Sequence, residues 1–245
     1  MKAFRLTTWH LYAIALFGLS VTPTYAAAIV NGGSLLNVAN ADQLANWVGV
    51  SGVIFTDIYT FKPGDTTIAW HSAVDNKGPT FTLITARVSG SSGAFQLIGG
   101  YNPQSWQSTG GLVVTRTATD RTAFIFDLTT NVIQRQVTDS AAGQYQTYRD
   151  ISYGPVFGWG YDIGVTGSNL QSGAITQYSY SLGNQTGVNL FGAVGSTSIE
   201  IGSIETYTLT TVAELPNLVS TAFGIWLLVW MRRKKIFPRL TNQKA

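Results

Sequence analysis

The sequence of 245 residues contains no cysteine and only two histidines. The absence of cysteine excludes disulfide bonds, thiolate metal sites and cysteine nucleophiles. His10 lies within an N-terminal targeting pattern, so His71 alone remains to build a histidine metal site or a Ser-His-Asp triad. No G-x-S-x-G motif supplies a serine nucleophile. The sequence therefore predicts no catalytic residue, no metal site and no cofactor.

Charged residues are also scarce, at 11% of the chain against about 25% in a typical soluble domain. The net charge of +3 is distributed unevenly. The first 26 residues and those after Met231 carry cations and no acid, whereas residues 27–213 carry seven cations and eleven acids. The body of the protein is therefore acidic, and it lacks the electrostatic attraction on which a nucleic-acid partner depends.

Residues 1–26 have the pattern of a secretory signal peptide. Two cations precede the apolar run Leu11–Leu19, which is too short to span a membrane. Small residues at Thr24 and Ala26, or at Ala26 and Ala28, suit signal peptidase. We therefore predict export, with cleavage at Ala26 or Ala28.

A second apolar run, Leu218–Met231, lies near the C-terminus. As a helix that starts at Leu215 it would be about 25 Å long, which is marginal for a membrane core of ~30 Å unless flanking cations snorkel. The cations that follow this run are Arg232, Arg233, Lys234 and Lys235. They are predicted to stop transfer and to stay cytoplasmic together with residues 236–245. The sequence thus predicts a C-terminal transmembrane helix that holds the domain in the periplasm or at the cell surface.

The order of features at this end resembles the PEP-CTERM sorting tail of exported Gram-negative proteins, which exosortases process. In that family a Pro-Glu-Pro motif precedes the apolar helix, and a basic cluster follows it. Here the motif reads Ala213-Glu214-Leu215-Pro216, so the first proline is absent and the second is displaced by one residue. The resemblance implies a sorting segment at residues 213–235 with Glu214, Leu215 and Pro216 as its motif. The implied partners are the membrane, signal peptidase and an exosortase.

Residues 27–212 have the pattern of an antiparallel β domain. Short runs rich in Val, Ile, Thr, Phe and Tyr alternate in polarity and end at turn-forming residues. Such runs lie at Gly52–Tyr59, Thr80–Val88, Ala94–Gly99, Leu112–Thr117, Thr122–Leu128, Ser198–Ile201 and Ile204–Thr210. Helical spacing predicts one or two short helices after Asn40 or Asp42 as capping residues, and another at Thr66–Val74. The predicted fold class is therefore α+β, mainly β, in one domain.

Five phrases of this body, in order, resemble the TLDc family. They lie at Lys77–Ile84, Ile98–Trp106, Ala123–Leu128, Tyr153–Ile163 and Ile204–Tyr207. The resemblance covers roughly residues 40–209, although Tyr59–Asp65 replaces the phrase found near the start of the family. It implies two antiparallel sheets packed as a sandwich with a few short helices, and no established catalytic centre. In eukaryotes the family is linked to oxidative-stress resistance.

Aromatic residues near turns are the predicted ligand contacts. Tyr101 and Tyr161 are flanked by turn residues, and we expect them to face a ligand such as an exopolysaccharide or another envelope polymer. Trp106, Phe157 and Trp159 are expected to pack between the sheets instead.

Paired carboxylates are the feature that would indicate a glycoside hydrolase. The more suggestive acids are Asp57, Asp65, Asp127, Asp162, Glu200 and Glu205. The positions of Glu200 and Glu205 differ by an odd number, which would place the two side chains on opposite faces of a continuous strand. Asp162 follows a glycine-rich stretch and is predicted to cap main-chain N–H groups. His71, beside Trp70, is predicted to lie on the surface or at the edge of the core.

These patterns together favour an exported, membrane-anchored, non-enzymatic TLDc-like protein with a binding or structural role at the cell surface. The first alternative is a surface hydrolase that acts on carbohydrate. The second is a factor that protects against oxidative stress.

Overall fold

The computed structural model describes residues 26–182 and 187–211. Helix α1, Val38–Val48, begins after Asn37, whose side-chain oxygen accepts a hydrogen bond from the Asn40 main-chain N–H at 2.9 Å. It ends at Gly49, which has a φ of +80°. Asn40 and Asp42 therefore lie inside the helix, and the prediction that they cap it is wrong. The cap falls at Asn37 because its side chain reaches the free N–H three residues later.

The remaining elements of the described chain are mainly strands. The thirteen strands are β1 Ala28–Val30, β2 Val53–Thr60, β3 Thr80–Val88, β4 Gln96–Asn102, β5 Gly111–Val114, β6 Phe124–Asp127, β7 Val132–Gln136, β8 Tyr145–Arg149, β9 Val156–Phe157, β10 Ile163–Val165, β11 Ser172–Ile175, β12 Tyr180–Ser181 and β13 Thr197–Thr211. Helix α2, Thr67–Val74, lies between β2 and β3, as predicted. Two short 3₁₀ turns occupy Ala118–Asp120 and Ala141–Gln144.

Strand β13 is the centre of the sheet. One edge of β13 pairs with β3 along residues 199–208. The other edge pairs with β11 at residues 197–200 and with β2 at residues 205–211. The sheet therefore branches at β13, with β2 and β1 as one arm and β11-β10-β9-β8-β5 as the other, while β3-β4-β6-β7-β12 extends on the opposite side. The pairings are antiparallel except that of β1 with β2.

The arm that ends in β5 folds back over the main sheet. Phe157 of β9 lies over Gly100 of β4 although the two strands do not pair, and its ring centroid is 5.4 Å from that of Trp106. Helix α2 adds Trp70 to the same core, where its indole N–H donates to Thr206 Oγ1 at 3.1 Å. This core lies between two facing layers of strands, as in a sandwich.

A second core lies on the other face of the main sheet, beneath α1. Because successive side chains of a strand point to opposite faces, Phe81 and Leu83 of β3 reach this core while Ile84 reaches the first one. The fully buried side chains of this second core include Leu44, Phe55, Phe81, Leu83, Phe124, Phe126 and Tyr207. Burial of these large apolar side chains is the main source of stability on this face.

The predicted α+β, mainly β fold is confirmed, and its layers are arranged like a sandwich. The strands of both layers are joined through β13 into one continuous sheet rather than into two separate sheets. No helix within residues 26–182 and 187–211 is long and apolar enough to cross a membrane. The helix predicted at residues 218–231 lies outside the described residues.

The close contact between β4 and β9 gives a first testable prediction. A Cβ on Gly100 would lie 2.5 Å from Phe157 Cζ, and that ring is fully buried and packs against Trp106 and Tyr180. Gly100→Ala should therefore lower the free energy of unfolding by about 2 kcal/mol, measured by urea denaturation. Gly93→Ala is the matched control, since a Cβ there meets only Ser91 Oγ at 3.5 Å. Equal effects of the two substitutions would contradict the packing of β9 over β4.

Candidate functional site

The arm that folds over the main sheet carries a groove lined by aromatic side chains. Its cavity has a volume of about 350 Å³. The lining residues, which we call the aromatic groove, are Leu112, Tyr148, Gly158, Trp159, Gly160 and Tyr161. Leu112 comes from β5, which is the last strand of its arm in the described part of the chain, and Tyr148 comes from its neighbour β8. The other four belong to the loop between β9 and β10, so the groove forms where a sheet edge meets a loop.

Local backbone geometry explains how this loop presents its rings. Gly158 and Gly160 have φ values of +77° and +85°, a region that glycine adopts without steric cost. A Cβ on Gly158 would also collide with the Asp162 carboxylate. Tyr161 adopts a φ of +68°, which is unusual for a bulky residue. The side chain of Trp159, between the two glycines, is 47% exposed.

Asp162 joins this loop to the segment at residues 178–180. Its fully buried carboxylate accepts hydrogen bonds from the main-chain N–H groups of Tyr178 at 2.7 Å, Ser179 at 2.9 Å and Tyr180 at 3.0 Å. The prediction that Asp162 caps main-chain N–H groups is thus confirmed. Burial raises the pKa of this carboxyl to about 7, against the opposing effect of the same hydrogen bonds.

The rings of the groove are supported by neighbouring tyrosines. The ring centroids of Trp159 and Tyr145 are 4.9 Å apart, and Tyr153 stands between Tyr148, at 5.7 Å, and Tyr161, at 6.1 Å. Aromatic pairs at these separations stabilise one another beyond their buried area. The result is a preformed and partly exposed aromatic surface.

The polar groups of the groove are mainly tyrosine hydroxyls. Burial and the neighbouring Asp150 raise the pKa of Tyr148, and a hydrogen bond with Tyr153, followed by burial, raises the pKa of Tyr161. Both hydroxyls are therefore neutral near pH 7. Hydrogen bonds from Ser152 lower the pKa of Asp150, which keeps that neighbouring carboxylate ionised. The Tyr148 hydroxyl donates its hydrogen towards Asp150 and the Tyr161 hydroxyl towards Tyr153, so the groove offers a ligand apolar ring faces beside neutral hydroxyl oxygens that can accept.

The structure places the predicted aromatic residues differently from one another. Tyr161 lines the groove, whereas the Tyr101 ring packs against Phe81 at 5.0 Å and belongs to the core beneath α1. Trp106 is fully buried, as predicted, and so is Phe157. The prediction that Trp159 packs between the sheets is wrong. The glycines on both sides of Trp159 were the sequence signal of an exposed loop tip.

His71 is buried inside a hydrogen-bond network and not on the surface. Its Nδ1 lies 2.8 Å from Asp75 Oδ1, and its Nε2 lies 3.1 Å from the main-chain oxygens of Asp150 and Tyr153. The other oxygen of Asp75 accepts a hydrogen bond from Ser108. In a Ser-His-Asp triad the histidine stands between serine and aspartate, but here the aspartate stands in the middle. The network joins α2 to two loops, and Nε2 does not face a serine.

The acids considered for hydrolysis are dispersed. Asp127 accepts hydrogen bonds from the main-chain N–H groups of the turn at 129–130, and Glu200 pairs with Arg87 at 2.9 Å. Asp57 and Asp65 line one cavity of about 400 Å³ beside Lys62, which we call the acid cleft. Asp57 accepts hydrogen bonds from the Tyr59 main-chain N–H and the Thr60 hydroxyl of its own strand, β2, and burial raises its pKa.

Glu205 is fully buried and holds the start of the domain. Its carboxylate accepts hydrogen bonds from the main-chain N–H groups of Ser34 at 2.6 Å and Leu35 at 3.1 Å, and from the Tyr207 hydroxyl at 2.6 Å. Gly33 lies so close that a Cβ there would collide with the carboxylate. This acid is thus a structural anchor for the loop that leads into α1, and it is separate from Glu200, which pairs with arginine.

Several predicted sites fall at or beyond the limits of the described residues. Ala26 and Ala28 are described, and Ala28 opens β1. The sorting motif at 214–216 and the basic cluster at 232–235 lie outside the described residues. In residues 26–182 and 187–211, no three His, Asp or Glu side chains are placed so that they could hold a metal ion. In comparisons with known proteins, no protein-family model and no curated protein matches this chain.

Proposed function

We propose that this chain is an exported, membrane-anchored and non-enzymatic TLDc-like protein of a Gram-negative cell envelope, which binds a surface carbohydrate polymer in its aromatic groove. The observation that carries the proposal is the preformed row of Tyr148, Trp159 and Tyr161 around an open cavity. The faces of such rings suit the apolar faces of sugars, and the hydroxyls suit their polar edges.

The charges in and beside the groove favour an uncharged polymer as the ligand. The residues that line the groove carry no charge, and Asp150 next to Tyr148 is ionised. An anionic polymer would therefore meet no cation among the lining residues. An exopolysaccharide of neutral sugars fits this surface better than an acidic one.

The sandwich-like layers support the TLDc resemblance, and the sequence phrases that carry it lie in the core and at the groove. Ile98–Trp106 covers most of β4 and the turn after it, Tyr153–Ile163 includes the loop of the aromatic groove, and Ile204–Tyr207 lies on the central strand. Two phrases thus build the core, and a third builds the groove. The tail that resembles PEP-CTERM, with its exosortase, supplies the anchor in this proposal.

The binding proposal is tested with the full chain in detergent, screened against glycans and envelope polymers. Trp159→Ala should weaken binding of the best ligand about tenfold, because it removes the most exposed ring of the groove. Phe95→Ala is the matched control, since Phe95 is 39% exposed and does not line the groove. Thermal unfolding of both variants checks that the fold is kept. Equal binding by wild type and Trp159→Ala would contradict the proposal.

The anchor is tested by fractionation of cells that express the chain with and without residues 214–245. The full chain should sediment with membranes, and the truncated chain should be released because it lacks both the apolar run and the basic cluster. Continued membrane association of the truncated chain, after processing of its leader, would overturn the anchor.

One observation favours hydrolysis as a second candidate function. Asp57 and Asp65 line the same cavity, and burial raises the pKa of Asp57, as expected of a general acid. The residues of the acid cleft and of the aromatic groove do not overlap. Hydrolysis of a bound glycan that is lost in Asp57→Asn but kept in Trp159→Ala would favour this candidate.

A further inference from the structure

The first described residues are held in the fold by a short hydrogen bond. The main-chain nitrogen of Ala27 donates to Asp42 Oδ1 of α1 at 2.6 Å. Ala27 is only 7% exposed and belongs to the core beneath α1, whereas Ala26 is exposed. The boundary between folded and exposed chain therefore falls between these two residues.

Pairing of β1 sets the same boundary. Ala28, Ile29 and Val30 pair in parallel with residues 54–56 of β2. A cut after Ala28 would remove Ala27 from the core and one of the three paired residues from β1. A cut after Ala26 would remove neither.

Among the described residues, no lysine, arginine or histidine forms an ion pair with the carboxylate of Asp42. A hydrogen bond in which the donor or the acceptor is ionised is about twice as strong as one between two neutral groups. A positive charge created at the Ala27 nitrogen would therefore meet a carboxylate already in place.

We propose that signal peptidase cuts between Ala26 and Ala27 and that the new α-ammonium group of Ala27 pairs with Asp42. This inference rests on the export that the proposed function assumes. In the cut, water adds across the peptide bond, so that Ala26 leaves with a carboxylate and the Ala27 nitrogen becomes an amine, which is protonated near neutral pH. Because Ala27 is buried in the fold, the cut precedes folding. The folded domain then holds the new N-terminus through its ion pair with Asp42.

The cut is located by mass spectrometry of the processed chain, expressed at full length in a Gram-negative bacterium. The expected N-terminus is Ala27. A terminus at Ile29, or at any other residue, would overturn the inference and leave export intact. A chain that keeps its leader would overturn the export proposal, and the inference with it.

The ion pair is tested on the same processed protein. Asp42→Asn should lower the ratio of folded to unfolded protein about tenfold, as for loss of a charge-assisted hydrogen bond. Asp139→Asn is the matched control, because Asp139 is exposed and carries the same charge. Equal effects of the two substitutions, with the terminus at Ala27, would overturn the ion pair.

Discussion

Replacement of Glu205 by alanine is expected to lower the free energy of unfolding by about 4 kcal/mol. The substitution removes the acceptor of the Ser34 and Leu35 main-chain N–H groups and of the Tyr207 hydroxyl. Buried donors without an acceptor cost about 1–3 kcal/mol each, so the loss exceeds that of a typical substitution. The loop that leads into α1 should loosen as well, and hydrogen exchange at its amides should show this.

Glu200 provides the matched control on the same strand. Its carboxylate pairs with Arg87 at 2.9 Å, but both side chains are about a third exposed. Glu200→Ala should therefore lower the free energy of unfolding far less than Glu205→Ala does, as for other exposed ion pairs. Chemical denaturation of the two variants gives the comparison. A Glu205→Ala protein as stable as Glu200→Ala would contradict the anchoring role of Glu205.

The second large effect concerns pH and Asp162. Burial raises the pKa of its carboxyl to about 7, whereas the unfolded chain titrates near 4. Between these values the folded state binds more protons than the unfolded state, so stability falls as the pH rises from about 4 to about 7. The slope contributed by this group should approach 1.4 kcal/mol per pH unit.

Asp162→Asn isolates that contribution. An amide does not ionise, so the variant should lose this slope. Its Oδ1 still accepts the hydrogen bonds from residues 178–180, but its Nδ2, which is only a donor, replaces the Oδ2 that lies 3.0 Å from the Ser179 main-chain N–H. The variant should therefore remain less stable than wild type at pH 4. Denaturation of wild type, Asp162→Asn and the exposed control Asp139→Asn at several pH values between 4 and 8 measures the difference. Parallel pH curves for wild type and Asp162→Asn would rule out a raised pKa at Asp162.

Local pattern predicted the longer strands. Thr80–Val88 and the runs around β2 and β6 were found because their side chains alternate or carry branched and aromatic residues. Strands β9 and β12 have two residues each, which is too short to carry a period. Their place in the sheet depends on contacts with distant parts of the chain, and a single sequence does not contain that information.

The candidate site was predictable to a similar extent. Tyr161 was selected because turn residues flank it, and the role of Asp162 followed from the glycines before it. Trp159 was misplaced because a large apolar ring usually lies inside, whereas two glycines with positive φ present this one to solvent. The main-chain partners of Glu205 are residues 34–35, and no local pattern links positions so far apart.

The position of β13 also determines when the domain can fold. The central strand is the last strand of the described chain, and both β2 and β3 need it as a neighbour. Until residues 197–211 are available, β2 and β3 lack the strand that joins them, and their edges that pair with β13 stay open. For a chain that crosses a membrane from its N-terminus, the sheet would thus close only after nearly the whole domain had passed through. In such a chain, late closure would keep the polypeptide unfolded while it crosses the membrane, and it would also leave the incomplete chain in need of protection from aggregation.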